Sequence, residues 1–377
     1  MGPSTAKNPK RMKICILTQP LGANYGGILQ AYALQQTLRS SGHDVTTLRF
    51  RPEVLWVPSG YKKHLLTLRR FISKYVKGNS DIIYCSPDRQ TRYAYRELDR
   101  FIDTRMNCLE VSAPLSVKNL PEFDAYIVGS DQVWRPSYSP FLPDFYLDFL
   151  GDTPAKRIAY AASFGVDTWE ADEEMTARIR PLAQRFDAIS VREASGVELC
   201  AKHLNVHAEV MPDPTFLLTA ADYYDLCGAR QTSENNYIAV YLLDKGEREQ
   251  HLIDLISAQF GLPIKNIGLL DWARSTDSLE NWISAIAGAR FVITNSFHGT
   301  VFSLLFEKDF LTIKNSQRGT ARFTSLLNSL GLQSRLLDLS APNAHIPEMP
   351  EIDYHVVKEK LNSMRQLGRS FLQDSLQ

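Results

Sequence analysis

Short apolar runs alternate with amphipathic stretches along the chain, and this pattern predicts its elements. Residues 12–18 and 43–50 are rich in apolar side chains, which is typical of strands buried in a parallel sheet. Between them, residues 28–40 carry apolar side chains at helical spacing, and Gly42 supplies a stop signal. A strand, a helix and a second strand in this order predict a right-handed crossover. The chain is therefore expected to begin as a doubly wound α/β fold.

The same alternation starts again in the second half of the chain. Apolar runs at 237–243, 289–293 and 310–313 predict further strands, with helices between them. The two prolines of the Pro-Asp-Pro segment at 212–214 restrict the backbone, which is typical of a rigid connection between domains. We place a domain boundary just after this segment. Two α/β halves joined in this way are expected to face a ligand cleft. The predicted divisions are a polar extension, two domains and a terminal helix: 1–11, 12–215, 216–345 and 346–377.

Residues 56–79 differ in composition from the rest of the N-terminal domain. They include six basic residues and no acidic ones, and their apolar side chains fall at helical spacing. This pattern predicts a basic amphipathic helix. Such a helix can pack its apolar stripe on the core, or it can rest on an anionic membrane surface at roughly 1 kcal/mol per basic residue. The sequence leaves both interpretations open.

Composition and charge restrict the class of protein. The formal net charge is zero and the apolar and charged fractions are those of a globular protein, which gives no bias toward nucleic acid. No apolar run is long enough to span a bilayer, and the polar start of the chain lacks the apolar core of a signal peptide. Five scattered cysteines argue against structural disulfides and against a metal site. We expect a cytoplasmic protein, either free or peripheral on the inner face of the membrane.

His298 is the leading candidate for chemistry. It follows the predicted strand 289–293 and precedes an apolar run at 301–306 that is expected to start a helix. A strand-to-helix turn exposes side chains and backbone N–H groups to a ligand in α/β folds. Imidazole titrates near neutral pH, so His298 could act as a general acid or base, with Asn295 and Ser296 as polar neighbours that bind substrate. The alternative is that His298 only caps the helix.

Three arginines are candidates for binding an anionic group. Arg192 follows a predicted strand, and Arg318 and Arg322 lie just past the last strand of the second half. A guanidinium at such a position can bind carboxylate or phosphate with two hydrogen bonds. Each could instead form a salt bridge or lie on the solvated surface.

Two further segments supply polar groups at strand ends. Asp131 follows the predicted strand 123–128 and could orient a sugar hydroxyl or accept its proton, with Trp134 nearby to stack on a sugar. Asp131 could also simply cap a helix. The loop with Asn24, Tyr25 and Gly26 follows the first strand and could bind an anion through its N–H groups, although it lacks dinucleotide and P-loop spacings.

Several of these segments together resemble the polysaccharide pyruvyl transferase family. The resemblance is carried by Asn-Tyr-Gly-Gly at 24–27, Gly-Ser-Asp-Gln-Val-Trp at 129–134, Ser-Val-Arg-Glu at 190–193, Pro-Asp-Pro-Thr at 212–215 and Ser-Phe-His-Gly at 296–299. It spans roughly residues 12–345, and the motifs taken together are specific for the family. Three positions depart from the family pattern. Asn295 stands where Asp is usual, Ser296 where some members carry Arg, and Arg135 where Asn is usual.

The resemblance implies an enzyme that transfers a pyruvyl group from phosphoenolpyruvate to a pair of saccharide hydroxyls as a cyclic ketal. The expected acceptor is a saccharide, namely a lipid-linked galactose-containing unit of capsule or exopolysaccharide, and no cofactor is needed. The resemblance also implies two Rossmann-like domains that face a cleft, as in the GT-B glycosyltransferase architecture. His298 would be the acid or base, Arg192 and Arg322 the anion clamp, and Asp131 the residue that orients the acceptor. A nucleotide-sugar glycosyltransferase on the same two-domain plan is the alternative enzyme. The third possibility is a saccharide-binding protein without catalytic activity, because Asn295 and Ser296 replace charged residues at the turn.

Overall fold

The computed structural model describes residues 11–22, 24–50, 87–139, 141–228, 236–268, 277–315, 319–340 and 348–377. The predicted basic helix at 56–79 and the candidate Arg318 lie outside the described residues. Among the described helices, none is both long and apolar enough to cross a membrane.

The N-terminal half forms a seven-stranded parallel sheet. Its strand order is β3-β2-β1-β4-β5-β6-β7, so the direction of winding reverses between β1 and β4. The central strands are almost wholly buried, as their continuous apolar sequences require. The strands are β1 Lys13–Leu17, β2 Asp44–Phe50, β3 Cys108–Val111, β4 Ala125–Val128, β5 Lys156–Ala162, β6 Ala188–Val191 and β7 Glu209–Val210.

A five-stranded parallel sheet forms in the C-terminal half. Its order is β12-β11-β10-β8-β9, and here the winding reverses between β8 and β10. The strands are β8 Ile238–Tyr241, β9 Ile264–Asn266, β10 Phe291–Thr294, β11 Asp309–Ile313 and β12 Leu336–Leu337. The prediction of two Rossmann-like α/β halves is therefore confirmed, whereas the predicted domain limits stay predictions.

Ten α-helices flank the two sheets within the described residues. They are α1 Tyr25–Ser40, α2 Pro87–Arg105, α3 Glu173–Ala183, α4 Ala194–Leu199, α5 Ala220–Cys227, α6 Glu247–Phe260, α7 Leu279–Ala287, α8 Phe297–Leu305, α9 Ala321–Leu330 and α10 Tyr354–Ser375. Two of them begin earlier than the sequence suggested. Helix α1 begins three residues before Ile28, and α8 begins at Phe297 and not near Val301, because the Ser296 hydroxyl accepts a hydrogen bond from the Gly299 N–H. His298 thus lies in the first turn of a helix.

The two halves are held together by packed helices. Tyr25 at the start of α1 stacks on Trp282 of α7, with ring centroids 5.5 Å apart. Helix α10 returns to the first sheet, where Leu372 packs in the same cluster as Ile14. Its Gly368 lies so close to Tyr160 of β5 that a Cβ there would come within 2.4 Å of the phenolic oxygen. Helix α1 and helix α10 therefore each join the two halves.

Candidate active site

Four polar side chains converge where the two sheets face each other. Asp131 follows β4, Arg192 follows β6, Asp213 follows β7, and His298 enters from the second half at the start of α8. An Arg192 Nη atom lies 2.6 Å from Asp213 Oδ2, and the other lies 3.4 Å from Asp131 Oδ1. His298 Nε2 lies 3.4 Å from the same Asp213 oxygen. Asp131 and His298 follow β4 and β10, which border the two switch points, where open α/β sheets bind ligands.

Asp213 is the centre of this cluster. Its Oδ1 accepts hydrogen bonds from the Thr215 N–H at 3.0 Å and from the Thr215 hydroxyl at 2.6 Å, while its Oδ2 faces Arg192 and His298. Burial opposes ionisation of Asp213, but His298 and Arg192 outweigh it and hold the pKa of the carboxyl well below its usual range. Asp213 is therefore a permanent negative charge beside the imidazole.

Arg192 forms ion pairs with the carboxylates of Asp213 and Asp131. It is 5% exposed, and although burial disfavours its charge, Asp213 and Asp131 raise its pKa above the ordinary value. Its guanidinium also lies over the Phe297 ring, 4.7 Å from the centroid. A charge compensated by two carboxylates attracts an incoming anion weakly, so this geometry suits Arg192 to holding the carboxylates more than to an anion clamp.

Arg322 brings a second buried cation to the same ring. Its guanidinium lies 5.5 Å from the centroid of Phe297, and the residue is 6% exposed at the start of α9. Burial, followed by repulsion from Arg192, lowers the pKa of Arg322 to about 10. The charge persists at neutral pH, and a bound anion would relieve its unfavourable environment.

Several buried polar atoms in and beside the cluster have no hydrogen-bond partner among the described residues. They are Arg192 Nε and His298 Nε2 in the cluster itself, and Glu193 Oε2 and Ser195 Oγ in the segment next to Arg192. Buried polar atoms are nearly always satisfied in folded proteins, and exceptions concentrate at sites that bind or react. The cluster therefore has hydrogen-bonding capacity that the surrounding protein does not use.

The loop after β1 supports this cluster in two ways. Exposed Asn24 donates a hydrogen bond of 3.3 Å from Nδ2 to Asp131 Oδ2. Gly26 lies against the His298 ring, and a Cβ at Gly26 would come within 1.9 Å of His298 Nδ1. Asn24 thus lies at the site and Gly26 packs against the imidazole, whereas anion binding by the N–H groups of this loop stays a prediction.

Trp134 requires a correction of its expected role. It is 1% exposed, stacks on Tyr146 with ring centroids 5.0 Å apart, and donates from Nε1 to the Phe145 carbonyl at 3.0 Å. Phe164 covers it further, at 5.6 Å. A sugar cannot stack on a ring that is enclosed in this way, so Trp134 is a core residue.

Three other predicted substrate contacts have structural partners. Asn295 accepts from the Leu243 N–H and donates to the Asp244 carbonyl, both at 2.7 Å. Ser296 caps α8, and the Tyr25 hydroxyl donates to the Asp277 carbonyl at 2.7 Å. These contacts give each side chain a role in positioning the loops around His298 and α1.

Sequence reasoning missed Asp213 and Glu193 as members of the cluster. Buried Glu193 accepts hydrogen bonds from the N–H groups of Phe164 at 2.7 Å and Gly165 at 3.0 Å, which fixes the loop after β5. Asp213 could have been identified as a carboxylate at a strand end, but its two flanking prolines suggested only a rigid connection between domains. Both residues follow strands of the first sheet, as Asp131 and Arg192 do.

Solved structures with related shapes were found at very low sequence identity. Arabidopsis thaliana UGT89C1 is 11% identical with a TM-score of 0.49, covering 96% of this chain and 100% of that one. A UDP-GlcNAc 2-epimerase from Methanocaldococcus jannaschii is 9% identical with a TM-score of 0.48, covering 93% and 92%. A glycosyltransferase from Rickettsia africae is 10% identical with a TM-score of 0.42, covering 97% and 94%. No curated protein sequence matches the chain significantly.

Two Rossmann-like halves with a buried cluster of charged side chains between them define an α/β protein with a candidate active site. The family model of polysaccharide pyruvyl transferases matches residues 24–317, which is most of the chain. The chain therefore belongs to the polysaccharide pyruvyl transferase family. The match includes every residue of the cluster around Asp213 and ends before Arg322.

Proposed function

We propose that the protein transfers a pyruvyl group from phosphoenolpyruvate to two hydroxyls of a saccharide, forming a cyclic ketal. Membership of the family supports a transferase that acts on a saccharide. The observation that carries the finer proposal is the buried cluster of His298, Asp213 and Arg192, with Asp131 and Arg322 beside it. It combines a proton-transfer group with a second buried cation, Arg322, which suits a donor that bears a carboxylate and a phosphate.

The reaction balances without a cofactor. One sugar hydroxyl adds to C2 of phosphoenolpyruvate while C3 gains a proton and becomes a methyl group. The second hydroxyl then attacks C2, the C2–O bond to phosphate breaks, and inorganic phosphate leaves. Of the two hydroxyl protons, one is balanced by the proton gained at C3 and the other by the proton that phosphate takes up.

His298 is the proposed proton-transfer residue. The ionised Asp213 carboxylate lies 3.4 Å from Nε2 and orients the ring for proton transfer. Arg322 and the N-terminus of α8 are proposed to bind the anionic donor, while Arg192 keeps Asp213 and Asp131 in place. Asp131, reached from the exposed Asn24 side, is proposed to orient the acceptor hydroxyls.

The acceptor class extends this proposal. A lipid-linked galactose-containing unit of capsule or exopolysaccharide would bring the substrate to the inner face of the membrane. The basic residues of 56–79 would then help to hold the protein at that surface.

The test is phosphate release and ketal formation with phosphoenolpyruvate and a panel of galactosides, the product being detected by mass spectrometry. His298→Ala should lower kcat by ~10²–10⁴-fold, as expected for loss of a general acid or base. His251→Ala, which removes an exposed imidazole from α6, is the matched control and should keep full turnover. Near-normal turnover of His298→Ala would refute the assignment.

The nucleotide-sugar alternative makes a different demand on the second half. A sugar diphosphate favours a helix N-terminus with open N–H groups. The first turn of α6, next to the switch point, instead carries Glu247 and Glu249, and the Glu249 carboxylate accepts a hydrogen bond of 2.9 Å from the Gly246 N–H. Thermal stabilisation by UDP but not by phosphoenolpyruvate would favour this alternative.

A further inference from the structure

An exposed tyrosine lies on the loop that follows Asp131. Tyr138 ends the short 3-10 turn Pro136–Tyr138 and is 37% exposed, whereas Trp134 is 1% exposed. Phe141, three residues further along, is 36% exposed. The loop after β4 therefore buries one aromatic side chain and presents two others to solvent.

The Tyr138 ring is held in place from one side. The guanidinium carbon of Arg135 lies 4.7 Å from the ring centroid. Arg135 is 8% exposed, makes two hydrogen bonds of 3.1 Å to Glu170, and makes a third of 3.1 Å to Gln132 Oε1. A cation fixed over one face orients the ring and leaves its solvent-exposed part for a ligand.

The same loop is joined directly to the active-site cluster. The Gln132 N–H donates to Asp131 Oδ1 at 2.9 Å, and the Ser139 hydroxyl accepts from Gln19 Nε2 at 2.7 Å. Tyr138 and Asp131 are therefore carried by one loop, which is fixed by hydrogen bonds both at the cluster and to the loop after β1.

We propose that Tyr138 is the platform on which the acceptor sugar stacks, an inference that rests on the pyruvyl transfer proposed above. A pyranose with an axial hydroxyl, such as a β-galactoside, has one continuous face of C–H groups that packs well on an aromatic ring. With that face on Tyr138, the hydroxyl-bearing edge of the sugar can point toward Asp131. The proposed substrate class is therefore a hexopyranoside with one apolar face.

The test compares Tyr138→Ala with Tyr138→Phe in two assays on the full chain. The first measures kcat and the KM values for phosphoenolpyruvate and methyl β-galactopyranoside. The second measures saturation transfer by NMR from the protein to the C–H protons of the same galactoside. Tyr138→Ala should raise the KM for the galactoside about tenfold with the KM for phosphoenolpyruvate unchanged, and should weaken saturation transfer in the same proportion. Tyr138→Phe keeps the ring and should stay within about twofold of the wild type.

Phe260→Ala provides the matched control, because Phe260 is 40% exposed at the end of α6. It should change neither assay. Unchanged galactoside binding in Tyr138→Ala, equal losses in the Ala and Phe variants, or no saturation transfer in the wild type would each overturn the platform. If the wild type releases no phosphate but saturation transfer still depends on Tyr138, the platform stands and the proposed reaction fails.

Discussion

The close approach of Gly26 to His298 offers a test of the site that removes none of its functional groups. A Cβ at Gly26 would lie 1.9 Å from His298 Nδ1, 2.1 Å from Cγ and 2.6 Å from Cβ. Restoring an ordinary contact of 3.4 Å requires the imidazole and α1 to separate by about 1.5 Å. Because a misplacement of ~1 Å can cost ~10²-fold in rate, Gly26→Ala should lower kcat at least ~10²-fold.

Gly22→Ala is the control for this substitution. Gly22 lies in the same loop, and a Cβ there would meet no heavy atom within 4 Å. Steady-state phosphate release should therefore separate the two variants, with Gly22→Ala close to the wild type. A kcat for Gly26→Ala within about threefold of the wild type would refute the proposed support of His298.

A stability measurement tests the same contact without relying on activity. Overpacking at Gly26 should cost ~1–3 kcal/mol of the free energy of unfolding, partly offset by the helix preference of Ala. The three nearest atoms to the added Cβ all belong to His298, so the cost should vanish in a His298→Gly background. Urea unfolding of the two single variants and the double variant measures this coupling. Equal destabilisation in both backgrounds would show that the clash lies elsewhere.

Two further predictions concern charge. Asp213→Asn should lower the free energy of unfolding by ~3 kcal/mol at neutral pH, because it leaves the buried Arg192 with one carboxylate. The control is Asp152→Asn, which should have little effect because the ion pair of Asp152 with Arg185 is exposed. Folding lowers the pKa of Asp213, so its contribution is present above the unfolded pKa near ~4 and shrinks as pH falls toward the folded value. Urea titrations at neutral pH and at about pH 3 check this, and a pH-independent difference would contradict it. Charge reversal of the basic residues of 56–79 should weaken sedimentation with anionic liposomes; unchanged sedimentation would exclude the membrane-facing helix.

The fold was largely predictable because most of its strands and helices follow from the apolar spacing within each segment. The first strand, helix α1 and the second strand follow from apolar spacing alone, and so does β10 before His298. Strands β3 and β12 were missed because they are short and partly exposed at the sheet edges, where the apolar pattern is weak. The start of α8 was placed too late because its first turn depends on the Ser296 cap and not on apolar periodicity.

Of the site, the sequence predicted only which polar residues lie at the ends of strands. Polar residues after buried strands identified Asp131, Arg192 and His298, which the structure brings together. Their partners were not predictable, because pairing depends on contacts between elements that are far apart in sequence. Asp213 joins Arg192 to His298 through such contacts, and the packing of Tyr146 against Trp134 decides that this indole is buried.

The position of His298 shows why neither half of the chain forms the site alone. The imidazole is carried by α8 of the second half, yet its Nε2 edge faces Asp213 and its Nδ1 edge faces Gly26, both of the first half. Tyr25, next to Gly26, stacks on Trp282 and so ties α1 to the second half. The orientation of the His298 ring is therefore set by the packing of the two halves against each other.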